Sequence, residues 1–217
     1  MLQVKSFTFN PFSENTYLLY DETGEAVIVD PGCYDKNEQV ELDEFISENQ
    51  LKPTLLLNTH CHIDHVLGNA HVKAKYKVPL WIHKHEEQIL RAVSSYASNY
   101  GFPNYQQSQA DLFIKEGKEI KFGTTLLQSL FVPGHAPGHL VFYHKESKTC
   151  IGGDTLFQES IGRTDLPGGD HETLLRAIKT ELFQLPDDVI VYPGHGPTTT
   201  IGFEKQHNPF VGLNARF

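Results

Sequence analysis

Three histidines and one aspartate lie within six consecutive residues, in the order His60-Cys61-His62-Ile63-Asp64-His65. They follow residues 53–59, an apolar segment that predicts a buried strand. At the exit of a strand, side chains two residues apart point the same way, so His60 and His62 can bind one ion. If the chain then turns into a helix, Asp64 and His65 project sideways toward a neighbouring ion. Imidazole nitrogen and carboxylate oxygen are ligands that zinc accepts, so the spacing predicts a catalytic site for two metals.

Four other predicted strand ends carry a histidine or an aspartate beside glycine. Glycine lets the backbone turn sharply and direct the neighbouring side chain into a pocket. Several strand ends that each supply a histidine or an aspartate are what one site built from several loops requires. The segments are 27–32 with Asp30, 132–139 with His135 and His139, 151–155 with Asp154, and 191–197 with His195.

The length of 217 residues favours one large domain, residues 1–217, over two small ones, and with 39% hydrophobic residues the chain can bury a substantial core. The formal net charge of −9 disfavours nucleic acid as a partner. No apolar run approaches the ~20 residues that span a bilayer, and the first residues do not resemble a signal peptide. The three cysteines, Cys33, Cys61 and Cys150, are too few for a disulfide framework and favour the reducing cytoplasm.

Strands and helices are mixed along the whole length, which favours an α/β layered fold with helices outside packed sheets. Residues 96–111 form a polar, aromatic-containing segment that is either a loop at the mouth of the active site or a plain surface connection. Strands are predicted at 3–9, 15–20, 26–30, 53–58, 80–82, 120–122, 125–132, 139–144, 149–152 and 189–192, and helices at 37–49, 83–95 and 170–185.

Taken in order, these polar segments resemble the metal motifs of the metallo-β-lactamase superfamily, and the resemblance covers nearly the whole chain. It implies a four-layer αββα sandwich, in which two mixed β-sheets pack face to face with the metals in a cleft at one edge. It also implies the ligands: His60, His62 and His135 for one metal, Asp64, His65 and His195 for the other, and Asp154 as the bridge between them.

The resemblance gives the remaining polar residues lesser roles. Asp30 orients a ligand loop by hydrogen bonds. His139 is not a ligand and is expected to be packed or bonded to the backbone. Cys61 alternates with the ligands along the chain, so it is expected to be a packed thiol. The other histidines are expected on the surface or on helices, namely His71, His83, His85, His144, His171 and His207.

Within the superfamily, the chain resembles the glyoxalase II branch, the hydroxyacylglutathione hydrolases, in a short form without the C-terminal helical domain. Three segments carry this likeness, residues 152–157, 162–165 and 208–210, and no cysteine ligand is present. Two departures leave glutathione recognition open. Gly196 and Pro197 stand where a tyrosine follows the last metal histidine in that branch, and Arg163 replaces a lysine.

The resemblance therefore predicts a metal-dependent hydrolase of a small thioester related to hydroxyacyl-glutathione. A hydroxide that bridges two metals would attack the acyl carbonyl, with Asp64 and Asp154 as the catalytic residues. Arg163 and Tyr105 are the candidate substrate residues. Arg163 has an alternative role, an ion pair with Asp165 or Asp170 in a structural turn.

Several alternatives stay open at this point. A persulfide dioxygenase of the same fold would hold a single iron with His60, His135 and Asp154. A nuclease or phosphodiesterase is disfavoured by the acidic charge, and a non-enzymatic scaffold by the complete ligand set. Two divalent ions are expected, zinc first, with iron or manganese as alternatives. A homo-oligomer, in which a neighbouring subunit completes the pocket, is also left open.

Overall fold

The computed structural model of the chain describes residues 1–213 and residue 215. These residues form two compact units. The first comprises Met1–Ile114 and Lys121–Leu126, and the second comprises Lys115–Ile120 and the residues from Leu127 onward. Two six-stranded sheets, both with parallel and antiparallel pairs, form the framework of the fold.

The sheet of the first unit has the strand order β1-β2-β3-β4-β5-β6. The first two pairs are antiparallel, and the pairs from β3 to β6 are parallel. The carboxyl ends of β3, β4 and β5 therefore lie at one edge, where the chain places Asp30, His60 and Glu86. The strands are β1 (Gln3–Phe9), β2 (Glu14–Tyr20), β3 (Glu25–Val29), β4 (Lys52–Leu57), β5 (Leu80–His83) and β6 (Leu112–Ile114), and the helices are α1 (Lys36–Glu48), α2 (Ile63–Val66), α3 (Asn69–Tyr76) and α4 (Glu87–Tyr96).

The second sheet has the strand order β14-β13-β10-β9-β8-β7. Strands β10 and β13 are parallel, with Gly153 opposite Pro193, so the residues that follow both strands leave from the same edge. The strands are β7 (Glu119–Phe122), β8 (Thr125–Phe131), β9 (Leu140–His144), β10 (Thr149–Gly153), β13 (Ile190–Pro193) and β14 (Thr199–Thr200). A separate hairpin consists of β11 (Leu156–Phe157) and β12 (Ser160–Ile161). The helices that follow are α5 (His171–Thr180) and α6 (Ile201–His207).

Each unit has its own apolar core. In the first unit, strands β3 and β4 supply fully buried side chains such as Ile28 and Leu56, against which α4 packs Leu90 and Val93. In the second unit, α5 buries Leu174, Ala177 and Ile178 among the residues of β9, β10 and β13. These apolar faces hold the strands whose ends carry the polar residues.

The α/β class with two mixed sheets is confirmed. Asp170 caps α5 as predicted, because its carboxylate accepts a hydrogen bond from the backbone N–H of Thr173 at 2.7 Å. The predicted helix 170–185 is shorter, since α5 ends at Thr180 and a 3₁₀ turn follows. The grouping into one domain, 1–217, is not tested by this division, and positions 214, 216 and 217 lie outside the described residues.

Six helices and strands of the structure are absent from the sequence prediction, namely α3, α6, β6, β11, β12 and β14. Helix α3 buries only Asn69 and Val72, so its sequence has little apolar periodicity to reveal it. Strand β6 has only three residues and lies just after the predicted loop, which itself contains a 3₁₀ turn at Ala97–Tyr100. Among the described residues, the structure has no helix that is long and apolar enough to span a membrane.

Asp21 joins two turns within the first unit. Its carboxylate accepts hydrogen bonds from the backbone and the hydroxyl of Thr23, at 3.0 and 2.5 Å. The other carboxylate oxygen accepts from the backbone N–H groups of Thr124 and Thr125, at 2.7 and 3.1 Å. Burial by itself would raise the pKa of Asp21, but these hydrogen bonds outweigh burial and hold the pKa well below its usual value.

We expect Asp21→Ala to lower the free energy of unfolding by about 2 kcal/mol at pH 7, because it leaves the buried N–H and hydroxyl of Thr125, and the partly buried donors of Thr23 and Thr124, without an acceptor. The pKa of Asp21 is lower in the folded chain, so its stabilisation is fully present above the ordinary carboxyl pKa, about 3.9, and is lost as the pH falls through the folded value. Urea denaturation at several pH values should therefore show the gap to the unaltered chain narrowing below about pH 4. Asp188→Ala, which removes an exposed partner of Lys148, is the control; an equal loss in both variants would contradict this role.

Candidate metal centre

Three imidazoles of the first unit converge just beyond the buried end of β4. The ring centroid of His60 lies 4.7 Å from that of His62 and 4.1 Å from that of His65. His60 and His65 are fully buried, and His62 immediately precedes the short helix α2 that carries Asp64 and His65. The helix predicted after the strand is therefore present, and it turns His65 back toward His60.

Asp30 holds this ligand loop from behind. It follows β3 with a φ of 50°, and its carboxylate accepts hydrogen bonds from the backbone N–H of Thr59 at 2.7 Å and from the Thr59 hydroxyl at 2.5 Å. His65 Nδ1 lies 3.1 Å from the same carboxylate. Because the carboxylate can only accept, His65 donates from Nδ1, and this leaves His65 Nε2 available to a metal.

The tautomer of His60 follows from the same network. Its Nδ1 lies 3.1 Å from the Thr59 hydroxyl oxygen. Thr59 gives its only hydroxyl proton to Asp30, so its oxygen accepts the proton of His60 Nδ1. His60 Nε2 is thereby left without a proton, which is the state that a metal requires.

Asp64 faces the same space as His65. One of its carboxylate oxygens lies 3.6 Å from His65 Nε2, and its side chain is 14% exposed. The backbone carbonyl of Asp64 accepts a hydrogen bond from the side-chain amide of Asn10 at 3.0 Å. The amide of Asn10 also bonds the carbonyl of Gly32 at 3.1 Å, so it ties the turn after Asp30 to the ligand helix.

Glu86 supports the residue between the first two histidines. The backbone N–H of Cys61 donates to its carboxylate at 2.8 Å, and both residues are fully buried. The Cys61 side chain belongs to the apolar core, as predicted, and burial raises the pKa of its thiol well above the ordinary value. The role of Glu86 could not be predicted from the sequence, because a glutamate at the start of a helix usually lies on the surface.

Asp154 is flanked by two histidines within the second unit. Its Oδ2 lies 3.6 Å from His135 Nε2 and 3.5 Å from His195 Nε2. Asp154 and His195 follow the paired residues that end β10 and β13, and the backbone N–H of Gly194 donates to the carbonyl of Gly153 at 2.8 Å. The arrangement has a carboxylate in the middle with one imidazole on each side.

A backbone carbonyl fixes the ring of His135. The carbonyl oxygen of Arg163 lies 2.7 Å from His135 Nδ1 and accepts its proton, so Nε2 again faces the carboxylate without one. Gly162 makes this approach possible, because a Cβ there would lie 2.0 Å from the carbonyl oxygen of Asp154 and 3.0 Å from His135 Nδ1. Any other residue at 162 would push these two segments apart.

The donor set fits divalent metal ions. Two ligand atoms that bind one tetrahedral zinc at about 2.0 Å lie ~3.3 Å apart. The separations of 3.5–3.6 Å at Asp64 and Asp154 are close to this value. Together with the unprotonated Nε2 atoms, they form clusters of histidine and aspartate that are able to hold metal ions.

The two candidate substrate residues differ in their surroundings. The guanidinium of Arg163 makes two hydrogen bonds of 2.7 Å to the carboxylate of Asp165, and both side chains are more than 60% exposed. Of the two predicted roles of Arg163, the ion pair with Asp165 is therefore present. The ring of Tyr105 packs against the core of the first unit with its hydroxyl oxygen buried. Contact of either residue with a substrate stays a prediction.

Two more buried glutamates, one of them beside His65, could not be predicted from the sequence. Glu14 is fully buried, with one carboxyl oxygen 2.9 Å from the Thr16 hydroxyl and the other 3.8 Å from His65 Nδ1; burial raises its pKa well above the usual value. Glu204 on α6 accepts hydrogen bonds from the Thr199 hydroxyl at 2.5 Å and from the Asn208 amide at 2.8 Å. Sequence periodicity does not distinguish such acids from surface glutamates.

These observations define a class of protein: a mixed α/β fold whose strand ends present metal-binding histidines and aspartates. The family model of the metallo-β-lactamase superfamily matches residues 9–195. The chain belongs to the metallo-β-lactamase superfamily, and it is a metal-dependent hydrolase of that family.

Two curated relatives match almost the full chain. The hydroxyacylglutathione hydrolase GloC of Haemophilus influenzae is 38% identical over 97% of this chain and 98% of its own length. The probable metallo-hydrolase YqgX of Bacillus subtilis is 37% identical over 93% of both chains.

Solved structures show the same fold. The B3 metallo-β-lactamase BLEG-1 has a TM-score of 0.88, 37% identity, and coverage of 97% of this chain and 99% of its own. TTHA1623 in a di-iron-bound form has a TM-score of 0.83 and 36% identity, with 95% and 100% covered. ETHE1 from Myxococcus xanthus has a TM-score of 0.79 and 28% identity, with 96% and 84% covered.

We expect Glu86→Ala to lower the free energy of unfolding by about 1–3 kcal/mol, because it leaves the buried N–H of Cys61 without its acceptor. Its neighbour Glu87, which makes an exposed ion pair with Arg91, provides the matched control Glu87→Ala. Urea denaturation measures both variants, and titration with zinc measures how well each still binds metal. The assignment would be wrong if the two variants unfolded at the same urea concentration and bound zinc equally well.

Proposed function

We propose that this protein hydrolyses a small thioester, of the kind that a hydroxyacyl-glutathione represents, with two divalent metal ions. The main support is the similarity to GloC over 97% of this chain and 98% of the relative, combined with the histidine and aspartate donors at the strand ends of this chain. We propose His60, His62 and His135 as ligands of one ion, Asp64, His65 and His195 as ligands of the other, and Asp154 as the bridge. Zinc is the expected metal, and iron is the first alternative because TTHA1623 is described in a di-iron form.

When bound, the two ions would make a water molecule acidic enough to be the nucleophile and would polarise the acyl carbonyl. The proposed ligands determine the net charge at the metal centre. Five neutral imidazoles add no charge and two aspartates add −2, which leaves +2 at a centre with two divalent ions. Asp64 is partly exposed, so it is our candidate to accept a proton and pass it to solvent.

We propose two substrate residues, Arg163 on the second unit and Tyr105 on the first. The guanidinium of Arg163 is exposed and could exchange Asp165 for a substrate carboxylate, since both partners offer the same paired oxygens. Tyr105 contributes through the packing of its loop. The location in a reducing cytoplasm stays a prediction, with which the three buried free thiols are compatible.

A second function has a specific observation in its favour. ETHE1 from Myxococcus xanthus shares the fold over most of both chains. In a persulfide dioxygenase of this kind, a single iron would be held by His60, His135 and Asp154. The two functions differ in metal number and in their use of oxygen, so one preparation can separate them.

We expect the purified protein to contain two divalent ions per chain by elemental analysis and to release thiol from S-lactoylglutathione. Exhaustive chelation should abolish this activity, and zinc should restore it. One iron per chain, with oxygen uptake on addition of glutathione persulfide, would instead support the dioxygenase. Faster turnover of a β-lactam than of any thioester would also overturn the proposal.

We expect Asp154→Ala to reduce kcat by more than about a hundredfold and to lower the metal content. Removing a residue that only hydrogen-bonds a metal ligand already lowers metal affinity or activity by about 10–100-fold, and a ligand should matter more. Asp187→Ala is the matched control, since Asp187 is an exposed aspartate of the same unit that pairs with Lys205. Full activity of the Asp154 variant would show that this residue is not the bridge.

A further inference from the structure

His139 is a fully buried histidine that the proposed ligand set does not use. It stands just before β9, and the register of β9 with β10 pairs Phe142 with Ile151. Continued by three residues, this register places His139 opposite Asp154. The strand pairing therefore directs this imidazole to the backbone of the proposed bridging ligand.

The side chain of His139 takes the place of a sheet carbonyl at this point. The backbone N–H of Asp154 donates a hydrogen bond to His139 Nε2 at 3.0 Å. A backbone N–H can only donate, so Nε2 carries no proton and the neutral ring has its proton on Nδ1. This is a defined tautomer, imposed by the partner.

The same ring also contacts a second proposed ligand. The centroids of His139 and His135 are 6.1 Å apart with the ring planes at 75°, an edge-to-face arrangement. His139 thus touches the backbone of Asp154 with one edge and the ring of His135 with another surface. Asp154 Oδ2 and His135 Nε2 are themselves only 3.6 Å apart.

We propose that His139 is a positioning residue for the metal centre, which sets the direction of the Asp154 carboxylate by accepting its backbone N–H and steadies the ring of His135. This inference rests on the proposed function, because it assumes that Asp154 and His135 bind metal. A rotation of the Asp154 peptide would carry its carboxylate away from the space between His135 and His195. Without His139 Nε2 as acceptor, the chain would still fold, but the direction of the Asp154 carboxylate would be less well defined.

Three substitutions separate the acceptor from the ring. Glutamine places an amide oxygen at the reach of Nε2, asparagine offers the same group one bond too short, and phenylalanine keeps the ring but has no acceptor. The readouts are zinc affinity by competition with a chelator, the absorption spectrum of the cobalt-substituted protein, and the midpoint of thermal unfolding. Matched controls come from His144, a buried histidine of the same unit that bonds the Ser147 hydroxyl, as His144→Gln and His144→Phe.

We expect His139→Asn and His139→Phe to lose about 10–100-fold in zinc affinity and to change the cobalt spectrum, as loss of a partner outside the ligand shell does. His139→Gln should retain zinc affinity within about threefold, and the His144 variants should bind zinc normally. The inference is overturned if His139→Phe binds zinc as tightly as the unaltered chain, or if the glutamine and asparagine variants are equally impaired. If the phenylalanine variant does not fold, the glutamine and asparagine pair decides.

The unaltered chain provides a test that needs no substitution. In ¹⁵N-labelled protein, the ring nitrogen shifts of His139 report its tautomer, and a scalar coupling from the Asp154 amide to His139 Nε2 reports the bond. If the His139 ring carries its proton on Nε2, the inference is wrong regardless of the results with the His139 variants. Absence of thioester hydrolysis in a chain that binds two ions would refute the proposed function alone, since the affinity and spectra of the His139 variants do not depend on the substrate.

Discussion

An imidazole binds a metal only through a nitrogen that carries no proton, and the hydrogen-bond acceptor behind the ring decides which nitrogen that is. The Asp30 carboxylate does this for His65 directly and for His60 through the Thr59 hydroxyl. The backbone carbonyl of Arg163 does it for His135. In each of these rings the nitrogen that carries no proton is Nε2. The chemistry of the centre therefore depends on groups that would not themselves touch a metal.

Buried acids extend this support into the fold. Glu86, after β5, accepts the N–H of Cys61, after β4, so the ends of two neighbouring parallel strands are joined beneath the ligand loop. Burying a carboxylate is costly unless it is well bonded, and here its partner is a backbone N–H that otherwise has none in the sheet. Burying the Glu86 carboxylate in this way fixes the conformation of the loop that carries the histidines, and a catalytic centre needs such a fixed conformation.

The proposed ligand set could be predicted from the sequence, but the residues that support it could not. Histidines and aspartates beside glycine at several strand ends can be recognised in the sequence, because few structural roles other than metal binding account for such a cluster. The apolar segments before them predict the strands. Glu14, Glu86 and Glu204 could not be predicted, since the sequence does not show that a given glutamate is buried. Helix α3 and strand β6 were missed because tertiary packing, more than local periodicity, determines them. His139 is expected from the sequence to be packed or bonded to the backbone, but its partner, the N–H of Asp154, depends on the register of β9 with β10.

The contact between His135 and residue 163 uses main-chain atoms of Arg163 and the missing side chain of Gly162. The identity of the side chain at 163 has no part in that bond. Another side chain can therefore replace that of Arg163 while the bond to the histidine is kept. If Arg163 binds the substrate as we propose, a substitution at this position would change substrate preference without moving a proposed metal ligand. Position 163 is then a natural starting point for laboratory diversification, provided that Gly162 is left unchanged.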